Sequence, residues 1–92
     1  MRHRRRYMAF EAVSGADKQD VYRVAASMCK MIGVDRAEVR VITHDADSRK
    51  GLLRCSHDLV GELKGVMAHG ESPLKVLGVS GTIRAAKRKF LS

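Results

Sequence analysis

The feature that most restricts the fold is the order in which two hydrophobic periodicities follow one another along the chain. Four short segments alternate apolar and polar residues, as β-strands do, and three segments repeat apolar residues every three or four positions, as amphipathic helices do. Their order is strand, helix, strand, strand, helix, strand, helix. This order predicts an α+β sandwich in which two helices cover one face of a four-stranded antiparallel sheet.

The strand predictions rest on apolar alternation between turn residues. In the first strand, Met8, Phe10 and Ala12 are expected to share one face. In the second, Val39, Val41 and Thr43 are expected to alternate against their neighbours, and a polar turn then leads into the third strand as a β-hairpin. The predicted strands are Arg6–Val13, Glu38–Asp45, Leu52–Ser56 and Leu74–Val79.

Two helices are predicted from apolar spacing and from residues that begin or end helices. Asp17 is suited to cap the first helix and Gly33 to end it. Ser56 or Asp58 opens the second helix, and Gly70 closes it. The buried faces are expected at Val21, Val24, Ala25, Met28 and Ile32 in the first helix and at Leu59, Val60, Leu63, Val66 and Met67 in the second.

The element order is the β-α-β-β-α-β arrangement of ferredoxin-like and RNA-recognition-motif-like domains, with one basic helix added at the C-terminus. The 92 residues fit one domain. We divide it into a basic arm over 1–5, which would order on binding, a sandwich core over 6–81 and a basic helix over 82–91. The fold alone defines no function, because small-molecule regulators and acyl-phosphate hydrolases share it with RNA-binding modules.

Positive charge is concentrated at the two ends of the chain. The net charge is +8, and residues 1–10 and 72–92 contain no acidic residue, whereas 11–71 are close to neutral. Two acid-free clusters favour a polyanionic partner, with nucleic acid as the first candidate and a membrane surface as the second. Solubilising tails are the alternative interpretation. The candidate RNA-binding residues are Arg2, Arg4, Arg5 and Arg6 at one end and Arg84, Lys87, Arg88 and Lys89 at the other.

A glycine-containing segment precedes the C-terminal basic helix. Glycine at a strand-to-helix turn allows positive φ and a close backbone approach, and the free N–H groups of the following helix favour an anion. A phosphate site beside Arg84 and Lys87 and a plain tight turn before a solvated helix are both open interpretations. The turn is assigned to Gly78, Ser80, Gly81 and Thr82, with Thr82 as helix cap and Ile83, Ala86 and Phe90 facing inward.

Several kinds of chemistry lack the residues they need. The third strand contains no aromatic residue on which a base could stack, so backbone or shape recognition of RNA is favoured over base-specific reading. Cys29 and Cys55 are predicted to be small buried side chains in a reducing compartment. The sequence contains no metal-ligand spacing and no nucleophile elbow. It also contains no asparagine, which an acyl-phosphate hydrolase of this fold would be expected to use. We expect no metal, cofactor or catalytic residue in this chain, no membrane partner and a cytoplasmic location.

Three segments resemble those of a known family. The strongest is Leu77-Gly78-Val79-Ser80-Gly81-Thr82-Ile83 followed by Lys87-Arg88-Lys89-Phe90-Leu91, which closely resembles the C-terminal signature of archaeal ribonuclease P protein component 2. Arg6-Tyr7-Met8-Ala9-Phe10-Glu11 is similar to the first strand of that family, and Gly51-Leu52-Leu53-Arg54-Cys55 to its third. The resemblance covers nearly the whole chain. It carries over Gly78, Ser80, Gly81, Thr82, Arg84, Lys87, Arg88 and Lys89 as signature positions.

The resemblance implies a subunit of the ribonucleoprotein endonuclease that removes the 5′ leader from precursor tRNA. In that enzyme the RNA subunit is the catalyst and uses Mg²⁺. The implied partners are ribonuclease P RNA, precursor tRNA, the TIM-barrel-like ribonuclease P protein component 3 in a 2:2 heterotetramer, and other ribonuclease P proteins. The alternatives are a general RNA-binding or ribosome-associated protein of this fold and a small-molecule-sensing regulatory domain.

Overall fold

The computed structural model describes residues 4–13, 17–45, 47–68 and 73–91. Its elements follow the predicted order, with boundaries that differ by one or two residues. Short 3-10 turns at Arg36–Glu38 and His57–Leu59 lead into the second strand and the second helix. The elements are β1 Arg5–Ala12, α1 Lys18–Ile32, β2 Val39–Asp45, β3 Lys50–Ser56, α2 Val60–Ala68, β4 Leu74–Ser80, α3 Ile83–Ala86 and a π-helix Lys87–Leu91.

The four strands form one antiparallel sheet in the order β2-β3-β1-β4. The predicted α+β fold with a β-α-β-β-α-β arrangement is therefore confirmed. Strand β1 is central, and it pairs with β3 on one side and with β4 on the other. Its first residues consequently lie beside the end of β4, since Tyr7 pairs with Ser80.

The first face of the sheet is buried under α1 and α2. Met8, Phe10 and Ala12 are all buried on this face, as the alternation predicted. Full burial of a side chain such as Phe10 contributes about 1.5–3 kcal/mol relative to exposure. The predicted helix positions pack against the same cluster: Val21, Val24, Ala25, Met28 and Ile32 from α1, and Leu59, Val60, Leu63, Val66 and Met67 from α2 and the turn before it.

The ends of α1 are defined by the residues that the sequence indicated. Asp17 Oδ1 accepts a hydrogen bond from the Asp20 backbone N–H at 2.9 Å, and the Asp20 side chain accepts from the Asp17 N–H at 3.0 Å, which completes a capping box. The backbone bond from Asp20 holds the pKa of Asp17 below its usual value. Gly33 ends the helix with φ of 76°, a left-handed conformation that glycine adopts without steric cost. Gly70, predicted to close the second helix, lies outside the described residues.

Two irregularities in the sheet depart from strict alternation. The register shifts between Ala9 and Phe10 where β1 meets β4, and between Val41 and Thr43 where β2 meets β3. The expectation that Thr43 shares a face with Val41 is therefore wrong. A bulge adds one residue to a strand and turns the following side chain to the other face, so Thr43 pairs with Leu52 and lies on the same side as Ile42.

The C-terminal helix covers part of the second face. Ala86 is fully buried there against Ala9 and Leu52, and Ile83, Phe90 and Leu91 pack around them, so the predicted inward positions are confirmed. Phe90 and Leu91, adjacent residues of the π-helical turn, both pack on this inward side. Within the described residues, no helix combines the length and apolar character needed to cross a bilayer.

Candidate nucleic-acid interface

The glycine-containing segment lies partly in a strand and partly in a turn. Strand β4 continues to Ser80, so Gly78 is a strand residue, and neither it nor Gly81 has a positive φ. The expectation that these glycines provide a left-handed turn is therefore wrong. Gly78 is needed for another reason: the Phe90 ring packs directly on it, and an added Cβ would overlap that ring. The glycine thus sets how closely the basic helix approaches the sheet.

The turn itself consists of Gly81 and Thr82. The Thr82 hydroxyl accepts a hydrogen bond from the Ala85 N–H at 3.1 Å, which confirms the predicted cap. This bond satisfies one of the free N–H groups that a phosphate would otherwise contact. A Cβ at Gly81 would lie 3.9 Å from Arg6 Nη1, so the guanidinium group of Arg6 reaches the turn. The start of β1 and the start of the basic helix are therefore neighbours.

Strand alternation separates the N-terminal arginines. Arg5 pairs with Ser56 and is exposed on the second face. Arg6 pairs with Cys55, so its strand position belongs to the first face. Arg6 Nη1 donates to the Arg5 carbonyl at 3.1 Å. Arg4 is exposed, and its carbonyl accepts from the His57 N–H at 2.6 Å. Arg2 lies outside the described residues. Arg5 belongs to β1 rather than to the predicted arm over 1–5.

The four cations of the C-terminal helix are exposed, and they line two concavities. Arg84, Arg88 and Lys89 line one shallow concavity with Thr82. Lys87 instead lies toward the β2–β3 hairpin, in a concavity that includes Asp45 and Lys50. The phosphate site beside Arg84 and Lys87 stays a prediction. Arg84, Arg88 and Lys89 are the better matched group.

Few carboxylates compete for these cations. In the described ranges the ion pair within 4.0 Å joins Arg23 to Asp20 on α1, outside both basic clusters. Arg5, Arg84 and Lys89 form no ion pair with a described carboxylate. Their charge is therefore available to an external anion, and a helix bearing clustered cations on a packed scaffold is the electrostatic footprint of a nucleic-acid-binding surface.

The two cysteines belong to the hydrophobic core of the first face. Cys29 and Cys55 are both buried, as predicted. Burial raises the pKa of the Cys55 thiol to about 11 and also raises the pKa of the Cys29 thiol, which disfavours the reactive thiolate. Among the residues that the structure describes, no three His, Cys, Asp or Glu side chains are grouped to hold a metal ion.

One pair of cations was missed by counting charge at the chain ends. Arg40 on β2 and Arg54 on β3 are directly opposite each other in the sheet. Both lie in the near-neutral middle of the sequence, where nearby acidic residues offset their charge in the local net charge. Aligning the hairpin strands from their turn would place Arg40 opposite Cys55, and the register shift between Val41 and Thr43 moves Arg40 opposite Arg54.

Together, the fold and its cation-bearing helix define a small, basic protein of the α+β sandwich class. No protein-family model matches the chain. It is 35% identical over 107 residues to ribonuclease P protein component 2 of Methanosarcina mazei, covering 99% of this chain and 87% of that one. The corresponding values are 34%, 99% and 76% for the Methanosarcina acetivorans protein and 30%, 100% and 87% for the Pyrococcus furiosus protein. The chain belongs to the ribonuclease P protein component 2 family, and the predicted resemblance is confirmed.

Proposed function

We propose that the chain supports the catalytic RNA of ribonuclease P during removal of the 5′ leader from precursor tRNA. The observation that carries the proposal is the full-length similarity to protein components of that enzyme. The structure supports it with two basic segments that meet where Arg6 reaches the Gly81 turn. In this proposal the RNA cuts the phosphodiester bond with Mg²⁺, and this chain contributes no reacting group.

The physical role of the chain is to offset phosphate repulsion. Folding a catalytic RNA brings phosphates close together, and each contact with Lys or Arg replaces condensed counterions. Arg84 and Lys89 are positioned for such contacts because their helix is held on the sheet by Ala86 and Phe90. A rigid cationic surface lowers the Mg²⁺ concentration needed to hold the RNA in its active form.

The proposed partners follow the family. They are ribonuclease P RNA, precursor tRNA, the TIM-barrel-like protein component 3 in a 2:2 heterotetramer and the other ribonuclease P proteins, acting in the cytoplasm. The small-molecule-sensing alternative would place a ligand between paired sheets. Here the second sheet face is covered in part by the chain's own helix, with Ala86 fully buried against it, which disfavours that alternative.

The decisive experiment is precursor-tRNA cleavage at limiting Mg²⁺ by the organism's own ribonuclease P RNA. Reactions contain the TIM-barrel subunit and are compared with and without this chain. The expected result is stimulation at the correct 5′ site that requires both proteins. Absence of stimulation, with both proteins folded and the RNA active at high Mg²⁺, would reject this function in favour of general RNA binding.

A further inference from the structure

We propose that Arg40 and Arg54 form a second RNA contact site, on the open part of the sheet's second face, which binds the phosphate backbone. The proposal rests on the RNA-binding function above and extends it to residues outside the two terminal clusters. Neither arginine belongs to the signature segment or to the basic N-terminus. The site follows from strand register, charge and exposure.

Register places the two arginines in one row across the sheet. Arg54 pairs with Arg40 on β2 and with Tyr7 on β1, and Tyr7 pairs with Ser80 on β4. Directly paired residues of antiparallel strands point to the same face. Tyr7 packs with Ala9 and Leu52 in the cluster of the second face, so the whole row lies on that face.

The pairing of two arginines is unfavourable without an anion. Paired residues on neighbouring antiparallel strands have Cα atoms about 4.5–5.5 Å apart, and like charges directly opposite destabilise the sheet. Among the residues that the structure describes, neither side chain makes a hydrogen bond or an ion pair. Asp35 lines a surface concavity with Arg40, but no ion pair joins them. A bound phosphate would relieve this repulsion.

The C-terminal helix leaves this row accessible on the β2 and β3 side. Its buried contacts are with Ala9 and Leu52, one row farther along the sheet. Arg40 is exposed and Arg54 is half-buried, as expected for side chains beside the helix rather than beneath it. The chain therefore keeps an uncovered strip of sheet next to its packed helix.

Arg5 extends the strip toward the N-terminal cluster. It lies two residues before Tyr7 on the same face, which makes it a diagonal neighbour of Arg54 across β1 and β3. The guanidinium group binds phosphate oxygens through two parallel N–H donors, so three adjacent arginines suit a run of phosphates. No aromatic ring is fully open on the strip, so the contacts are to the backbone and independent of base sequence.

The test measures binding of the full chain to ribonuclease P RNA over a range of salt concentrations. The double variant Arg40→Gln with Arg54→Gln should lower the slope of log affinity against log salt by about 2, since each lost phosphate contact removes about 1. The matched control is Lys30→Gln with Lys64→Gln, which removes the same charge from exposed positions on α1 and α2. The control should keep the wild-type slope.

Folding is checked by the thermal midpoint, which should not fall in the arginine variant because a repulsive pair has been removed. A wild-type slope in that variant, or equal losses in both double variants, would overturn the site. If the wild-type chain stimulates cleavage while the arginine variant keeps the wild-type slope, the site fails and the proposed function stands. If the chain binds RNA through these arginines but does not stimulate cleavage, the proposed function fails and the site stands.

Discussion

The two faces of the central sheet are buried in different ways. On the first face, α1 and α2 form a large continuous cluster around Met8 and Phe10. On the second, the residues described as fully buried are Ala9, Leu52 and Ala86, beneath a helix that carries four exposed cations. The first face therefore provides most of the stability, whereas the second face buries fewer side chains and positions the cations of the helix.

Truncation of an aromatic ring on each face should separate these roles most clearly. Phe10→Ala removes a fully buried ring from the first face and should cost about 3–5 kcal/mol. Phe90→Ala removes a half-buried ring from the second face and should cost less. Urea unfolding measures both free energies of unfolding. Equal losses would contradict the division of roles between the faces.

A methyl group at Gly78 tests how tightly the basic helix is seated. Gly78→Ala forces the Cβ into the Phe90 ring, and such overpacking should destabilise the protein by about 1–3 kcal/mol. Combining it with Phe90→Leu should recover part of the loss, so the two changes should be non-additive in a double-mutant cycle. Additive losses would show that the ring does not depend on the glycine.

Loss of the helix cap should have a smaller effect. Thr82→Ala removes the acceptor for the Ala85 N–H and should cost about 1 kcal/mol. The expected consequence is fraying of the C-terminal helix, detected as faster amide hydrogen exchange there than in α1. Thr82→Ser retains a hydroxyl and should behave like the wild type. Faster exchange in α1 as well would mean that the two faces are not independent.

The smallest effect on folding should come from the exposed cations. Replacing Arg84, Lys87, Arg88 and Lys89 with alanine should leave the unfolding midpoint nearly unchanged and weaken RNA binding, with a lower salt slope. Restoring Lys87 alone should recover less than restoring Arg84, because Lys87 lies apart beside Asp45. Salt-dependent binding of the full chain measures this. An unchanged salt slope in the fourfold variant would reject the prediction that this helix contacts RNA.

Much of the fold could be predicted because it depends on local periodicity. The predicted start of the first strand differs from the observed start, Arg5, by one residue. Asp17, Gly33 and Thr82 cap their helices as their chemistry indicated. Such features need only neighbouring residues. The bulge before Thr43 and the π-helical turn could not be predicted, since each is decided by how distant elements pack together.

The sequence predicted the candidate site only where basic residues are clustered along the chain. Counting identified both basic ends, but it could not separate Lys87 from Arg84 or place Arg5 and Arg6 on different faces. The sequence pattern also placed Gly78 in the turn. A glycine in a sequence does not indicate which side chain packs over it. The assignment of the site residues to RNA stays a prediction until binding is measured.

The central position of β1 has a consequence for biosynthesis. Both neighbours of β1 are made after it, and pairing of Tyr7 with Ser80 joins residues near opposite ends of the sequence. Such long-range pairing is slow and cannot begin until β4 has left the ribosome. Arg6 and the cations of the C-terminal helix therefore come together only late in translation.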